Sequence, residues 1–164
     1  MTATTETLLH LPVQAPASPA RPAAPPLVAR LAEQFGATWL DETTLAAWAA
    51  EGGDRVVLLA GDPVQFPEGI DVAVVLPELQ RALPGRFVVG IVPTAHEDAV
   101  ARRHGVQRWP SLLFLRDGQY VTTIAGMHDW DDFVARVTEA LAAPATRAPG
   151  VGIPVVAAGG PACH

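Results

Sequence analysis

The sequence has almost no sulfur chemistry to offer: of its 164 residues one is cysteine, Cys163, next to the last position. A single thiol cannot close an intrachain disulfide, and no C-x-x-C pair exists for thiol exchange or zinc. Positive charge is scarce too. Eleven Lys and Arg stand against 17 Asp and Glu, a net charge of -6, so the basic footprint that nucleic acid or an anionic lipid surface requires is absent. Such a chain is expected to prefer a basic partner. No stretch approaches the roughly 18 to 20 continuous apolar residues of a membrane-spanning helix. The opening MTATTETLLHLP lacks a positive n-region and its apolar run ends at Pro12, so it does not read as an export signal. A cytoplasmic protein without direct membrane insertion is the expectation.

What is present is apolar residues, 49% of the chain, enough for one domain with a core at this length. Proline and glycine crowd toward the ends. PVQAPASPARPAAPP, residues 12–26, favours an extended, solvated segment, and PATRAPGVGIPVVAAGGPACH, residues 144–164, is broken too often for helix or strand. The pattern predicts a disordered leader over 1–26, a folded domain over 27–143 and a disordered tail over 144–164.

Inside the domain, LVARLAEQFG carries apolar residues at helical spacing (Leu27, Val28, Leu31, Phe35), with Gly36 placed as a C-terminal cap. A short strand TWL follows, and Asp41 is placed to cap a helix running to Ala50. The unbroken run RVVLLA (55–60) predicts a central strand covered on both faces. IDVAVVLPELQRAL is helical in pattern but contains Pro77, which predicts a kink. RFVVGIV is a further buried strand and AHEDAVARRHG a helix ended by Gly105. SLLFLR and QYVTTIA face each other across Asp117-Gly118, a hairpin signal. Finally Asp129 or its neighbour is placed to cap WDDFVARVTEAL, whose apolar stripe is Trp130, Phe133, Val134, Val137 and Leu141. The order α-β-α-β-α-β-α-β-β-α predicts an α/β three-layer sandwich, a mixed sheet with helices on both faces.

That order, with GVQRWPSLLFLRDGQ before the hairpin, resembles the thioredoxin fold across residues 36–143. The resemblance implies a cis bond at Trp109-Pro110. It also places the redox cysteine positions of thioredoxins on Gly69 and Val72, neither of which has a thiol. The phrases FPEGIDVAVVLPELQRAL, HGVQRWPSLLFLRDGQYV and GMHDWDDFV are similar to the HyaE/HupG/HoxO family of nickel-iron hydrogenase expression proteins, most of all to its HoxO members, over residues 27–143. The family likeness implies a thioredoxin-like chaperone without catalytic residues or a cofactor. Its implied partner is the precursor of a nickel-iron hydrogenase small subunit, bearing a twin-arginine export signal, with a second accessory protein as a further candidate.

The partner-binding residues expected on this basis are Phe66, Glu68, Asp71, Glu78, Trp109 and Pro110. Trp109, before a cis-proline, can offer backbone hydrogen bonds to an extended peptide without a thiol; a purely structural turn is the equal alternative. Phe66 is a candidate apolar anchor, and Glu68, Asp71 and Glu78 can face cations; a rigid surface loop explains them nearly as well. The charge at Asp129, Asp131 and Asp132 is simpler to read as helix capping. His96, His104 and His128 lie on different elements with no metal-ligand spacing, so no metal site is expected. Two rival functions are a generic redox-inactive thioredoxin-like interaction domain and a monothiol oxidoreductase using Cys163. The second is disfavoured because a reactive thiolate needs a fixed electropositive setting, which a Pro/Gly tail does not provide.

Overall fold

The computed structural model describes residues 22–150. The disorder predicted before Pro22 and after Gly150, and any role of Cys163-His164, lie outside the described residues. The elements follow the predicted order: α1 Pro26–Phe35, β1 Thr38–Trp39, α2 Leu45–Ala50, β2 Asp54–Leu59, α3 Glu68–Ala82, β3 Val88–Ile91, α4 Thr94–His104, β4 Ser111–Arg116, β5 Gln119–Ala125 and α5 Trp130–Ala142. One sheet has the order β1-β3-β2-β4-β5, with β1, β3 and β2 parallel and β4 and β5 antiparallel. With the cis bond at Trp109-Pro110 just before β4, this is a thioredoxin-like arrangement.

The central strand shows why the sequence folds this way. Val56, Val57, Leu58 and Leu59 are all 0% exposed. Because successive side chains of a strand point to opposite faces, Val56 and Leu58 join α1, α3 and α5 in one core, while Val57 and Leu59 join α2 and α4 in the other. A one-residue slip of β2 would exchange the two sets, so its register is strongly fixed. Asp117 (φ 50°) and Gly118 (φ 80°) form the tight β4–β5 turn, and Asp117 Oδ1 accepts the Gly53 N–H across the sheet end.

Several local expectations need correction. α3 starts at Glu68, two residues before the predicted stretch, because Pro67 already has helical backbone angles (φ -60°, ψ -25°) and leads straight into the first turn. Glu68 and Asp71 therefore belong to that turn rather than to a loop. Asp129 occupies the N-cap of α5 but makes no side-chain cap bond. The α5 stripe is Phe133, Val137 and Leu141 with Val134 beside them, whereas Trp130, the first helical residue, remains 44% exposed. The N-cap of α2 is Thr44 rather than Asp41 and makes no side-chain cap bond; Asp41 instead orders the preceding turn, its Oδ1 accepting the Thr43 and Thr44 N–H groups.

Ordered contacts also run past the predicted domain ends. Ala24 and Ala145 pack against the larger core, and the Thr146 N–H donates to the Tyr120 carbonyl on β5 at 2.7 Å. Arg116 secures the end of α5 by donating to the Leu141 and Ala143 carbonyls and to Asp54.

Candidate functional site

The site is built where β2 runs out. Gly61 has φ +81°, and a Cβ placed there would lie 2.7 Å from Phe66 Cδ2 and 3.0 Å from Trp109 Cβ. Only glycine accommodates both the backbone angle and the two neighbours. The following turn is organised by Asp62, whose Oδ1 accepts the Val64 and Gln65 N–H groups at 2.9 and 3.0 Å while its carbonyl accepts the Phe66 N–H at 2.7 Å. These bonds hold Phe66 over Gly61. Trp109 comes from the far side, on the segment that the cis-proline leads into β4, where Ser111 Oγ donates to the Arg108 carbonyl at 2.6 Å. The two rings are half-buried, with centroids 6.0 Å apart and planes tilted by 30°.

Below them lies Glu97, from the first turn of α4 and only 3% exposed. The Gly61 N–H donates to both of its carboxyl oxygens at 3.0 Å. Burial pushes the Glu97 pKa up to about 7, against the pull of hydrogen bonds from Gly61, Ala60 and the Trp109 side chain; the neighbouring Asp98 charge raises it further. A cavity of about 280 Å³ opens between these groups, lined by Gly61, Asp62, Gln65, Phe66, Thr94, Glu97, Asp98 and Trp109. Three of those residues are acidic and none is basic. The lining supplies carboxylates, aromatic faces and one threonine hydroxyl, which suits binding of a cationic or extended partner group.

Of the residues predicted from the sequence, Phe66 and Trp109 meet here and Pro110 is buried behind Trp109. Glu68 and Asp71 are exposed on the first turn of α3 and do not line the cavity. Their position at a helix N-terminus is favourable on dipole grounds alone. Glu78 is the clear departure from a shared surface. It lines a different groove with Leu27, Arg30, Phe35, Pro77 and Arg81, and is ion-paired with Arg81. At about 1.5 Å of rise per helical residue, it lies roughly 15 Å along α3 from Glu68.

Gly61, Glu97 and Asp98 were not singled out by sequence. The available signal was the helical face Glu97, Val100, Ala101 and His104, whose first three members are buried in α4. The positions aligned with the thioredoxin cysteines are closed. A Cβ on Gly69 would sit 2.0 Å from the Ala60 carbonyl oxygen, and Val72 is 1% exposed. Among the described residues no group of three or more His, Cys, Asp or Glu could hold a metal, and no helix is long and apolar enough to cross a membrane. The three histidines have separate partners: His96 Nδ1 lies 2.8 Å from Glu42, His104 Nδ1 2.9 Å from the Val100 carbonyl, and His128 Nε2 2.8 Å from the Ala125 carbonyl.

The family model described as Hydrogenase-1 expression protein HyaE matches residues 27–133. The hydrogenase expression/formation protein HoxO of Cupriavidus necator is 54% identical over 149 residues, covering 89% of this chain and 92% of the relative. HupG of Bradyrhizobium diazoefficiens, likewise described as a hydrogenase expression/formation protein, is 38% identical over 112 residues, or 68% and 76% of the two chains. A crystal structure described as hydrogenase expression/formation protein HupG from Rhodopseudomonas palustris is 39% identical, covers 64% of this chain and 95% of its own, and has a TM-score of 0.46.

Proposed function

The chain belongs to the HyaE family of hydrogenase expression proteins, and on that premise we propose that it is a non-enzymatic chaperone that binds the small-subunit precursor of a nickel-iron hydrogenase, at its twin-arginine signal peptide, before export. The observation that carries the reading is the Phe66–Trp109 surface over an acidic cavity, beside a backbone segment that no strand of the sheet includes. An extended peptide can lie along Trp109-Pro110 by strand addition, with its apolar side chains on the two rings and its positive charge toward the carboxylates. Nothing in that mode of binding needs sulfur.

The test is affinity capture from cells making the hydrogenase, with and without the small subunit's signal peptide. Capture should require the signal peptide and fall strongly in the Phe66→Ala, Trp109→Ala double variant, with charge attraction weakening as salt rises. Neutralising Glu68, Asp71 and Glu78 together should reduce the salt dependence less than neutralising Asp98. Truncation after Gly150, which removes Cys163, should leave capture unchanged. Loss of capture on truncation with normal capture by the aromatic variant would transfer the function to the tail; dithiol-dependent insulin reduction abolished by Cys163→Ala would instead favour the monothiol rival.

A further inference from the structure

We propose that the cavity lined by Phe66, Trp109, Glu97 and Asp98 is a receptor for a single guanidinium group, the side chain of an arginine presented by an extended segment lying along Trp109-Pro110. The inference rests on the peptide-binding reading above and makes it specific. It moves the charge recognition from the carboxylates exposed on α3 to Glu97, Asp98 and Asp62.

Three independent features converge on that ligand. The first is shape: the cavity's volume of about 280 Å³ is many times the roughly 30 Å³ share of one water, and two aromatic rings, Phe66 and Trp109, form part of its lining. A guanidinium is planar, weakly hydrated and stacks on aromatic faces, which a compact, strongly hydrated ammonium does less well. The second is an unbalanced field. Asp62, Glu97 and Asp98 line the space with no Lys, Arg or His among the lining residues, and Glu97 and Asp98 are like charges close enough to act on each other. Asp62 has its Oδ1 engaged by two backbone N–H groups, whereas Asp98 is exposed at the rim. The third is acceptor capacity. With the Gly61 N–H shared by both oxygens and bonds from Ala60 and Trp109, Glu97 keeps at most one of a carboxylate's roughly four acceptor positions, so a forked donor would place one N–H there and the other on the exposed Asp98. The α1–α3 groove offers no such opening, since its own Arg81 already pairs with Glu78.

A bound cation favours ionised Glu97. Facing it are Asp98 from its own helix and Asp62 from the preceding turn, while the end of β2 and the cis-proline segment contribute only the uncharged donors of Gly61, Ala60 and Trp109. Binding should therefore expel a proton at pH values below about 7 and become tighter as pH rises toward that value.

The experiment uses the full chain, labelled with 15N, and an N-acetylated, C-amidated Ala-Arg-Ala tripeptide. Saturable shifts are expected at the Gly61 amide and the Trp109 indole. The same peptide with citrulline, which keeps the shape and loses the charge, should bind at least about tenfold more weakly. Affinity should rise by up to about tenfold per pH unit below pH 7 and level off above. Asp98→Asn, an exposed change that leaves the fold intact, should weaken binding severalfold, and Glu97→Gln should remove the pH trend. Equal binding of the arginine and citrulline peptides, or shifts confined to the α1–α3 groove, would overturn the proposal. Precursor capture that survives Asp98→Asn while the peptide shifts vanish would separate this pocket from the chaperone role; peptide binding without precursor capture would sink that role and leave the pocket standing.

Discussion

Two grooves among the described residues each hold a carboxylate, one beside arginines and one beside other acids, and they differ in how that charge is held. In the α1–α3 groove, Glu78 is half-exposed and already paired with Arg81 three residues on. In the Phe66–Trp109 cavity, Glu97 is 3% exposed, its bonding partners are uncharged donors and its nearest charges are other acids. The first carboxylate is screened by water and its own neighbour, so it gives little to stability or recognition. The second is buried, and a cation that reached it would interact at a lower effective dielectric.

The largest expected effect comes from collapsing the cavity at its base. Gly61→Ala must adopt φ +81° and push a Cβ into Phe66, 2.7 Å away, so about 2–4 kcal/mol of stability should be lost in denaturant titration, with the Phe66–Trp109 contact disrupted. An alanine that left both stability and ring contact intact would show that the cavity is not held from below.

Next is the pH dependence of the buried acid. Its pKa is raised from the ordinary 4.5 to about 7 in the folded state, so its contribution to stability is full below the first value and is lost as pH rises through the second. At about 1.4 kcal/mol for each pH unit between them, the loss is on the order of 3 kcal/mol. Glu97→Gln should therefore gain on the wild type as pH is raised from 5 to 8. His104, whose pKa is lowered by burial, slopes the other way, losing stability as pH falls through its folded-state value, and is common to both proteins. Parallel pH profiles for the two would refute the assignment of a raised pKa to Glu97. The smallest effect belongs to the other groove: Glu78→Gln should change stability by less than about 0.5 kcal/mol and leave arginine-peptide binding untouched.

The strands were legible because the sheet's centre demands consecutive apolar residues, as in Val56 to Leu59, and the β4–β5 hairpin because Asp117-Gly118 suits its turn. Phe66 and Trp109 were legible as a pair only through the family likeness, which put the loop and the cis-proline at one end of the sheet. Glu97 was hidden for a physical reason. Within AHEDAVARRHG it is one polar residue among many, and its burial is decided by Gly61, 36 positions away. The grouping of Glu68, Asp71 and Glu78 erred in the opposite sense, because proximity in sequence becomes distance along a helix axis.

The bond from Thr146 to Tyr120 bears on how the molecule behaves in company. β5 is an outer strand of seven residues, and its outward backbone groups are a template on which another copy could add a strand. The segment after α5 lies across the beginning of that border, and its Pro149 approaches Gly105 at the end of α4. It acts as a selvedge at Tyr120, whose carbonyl is already taken and so is not open to a strand from another copy.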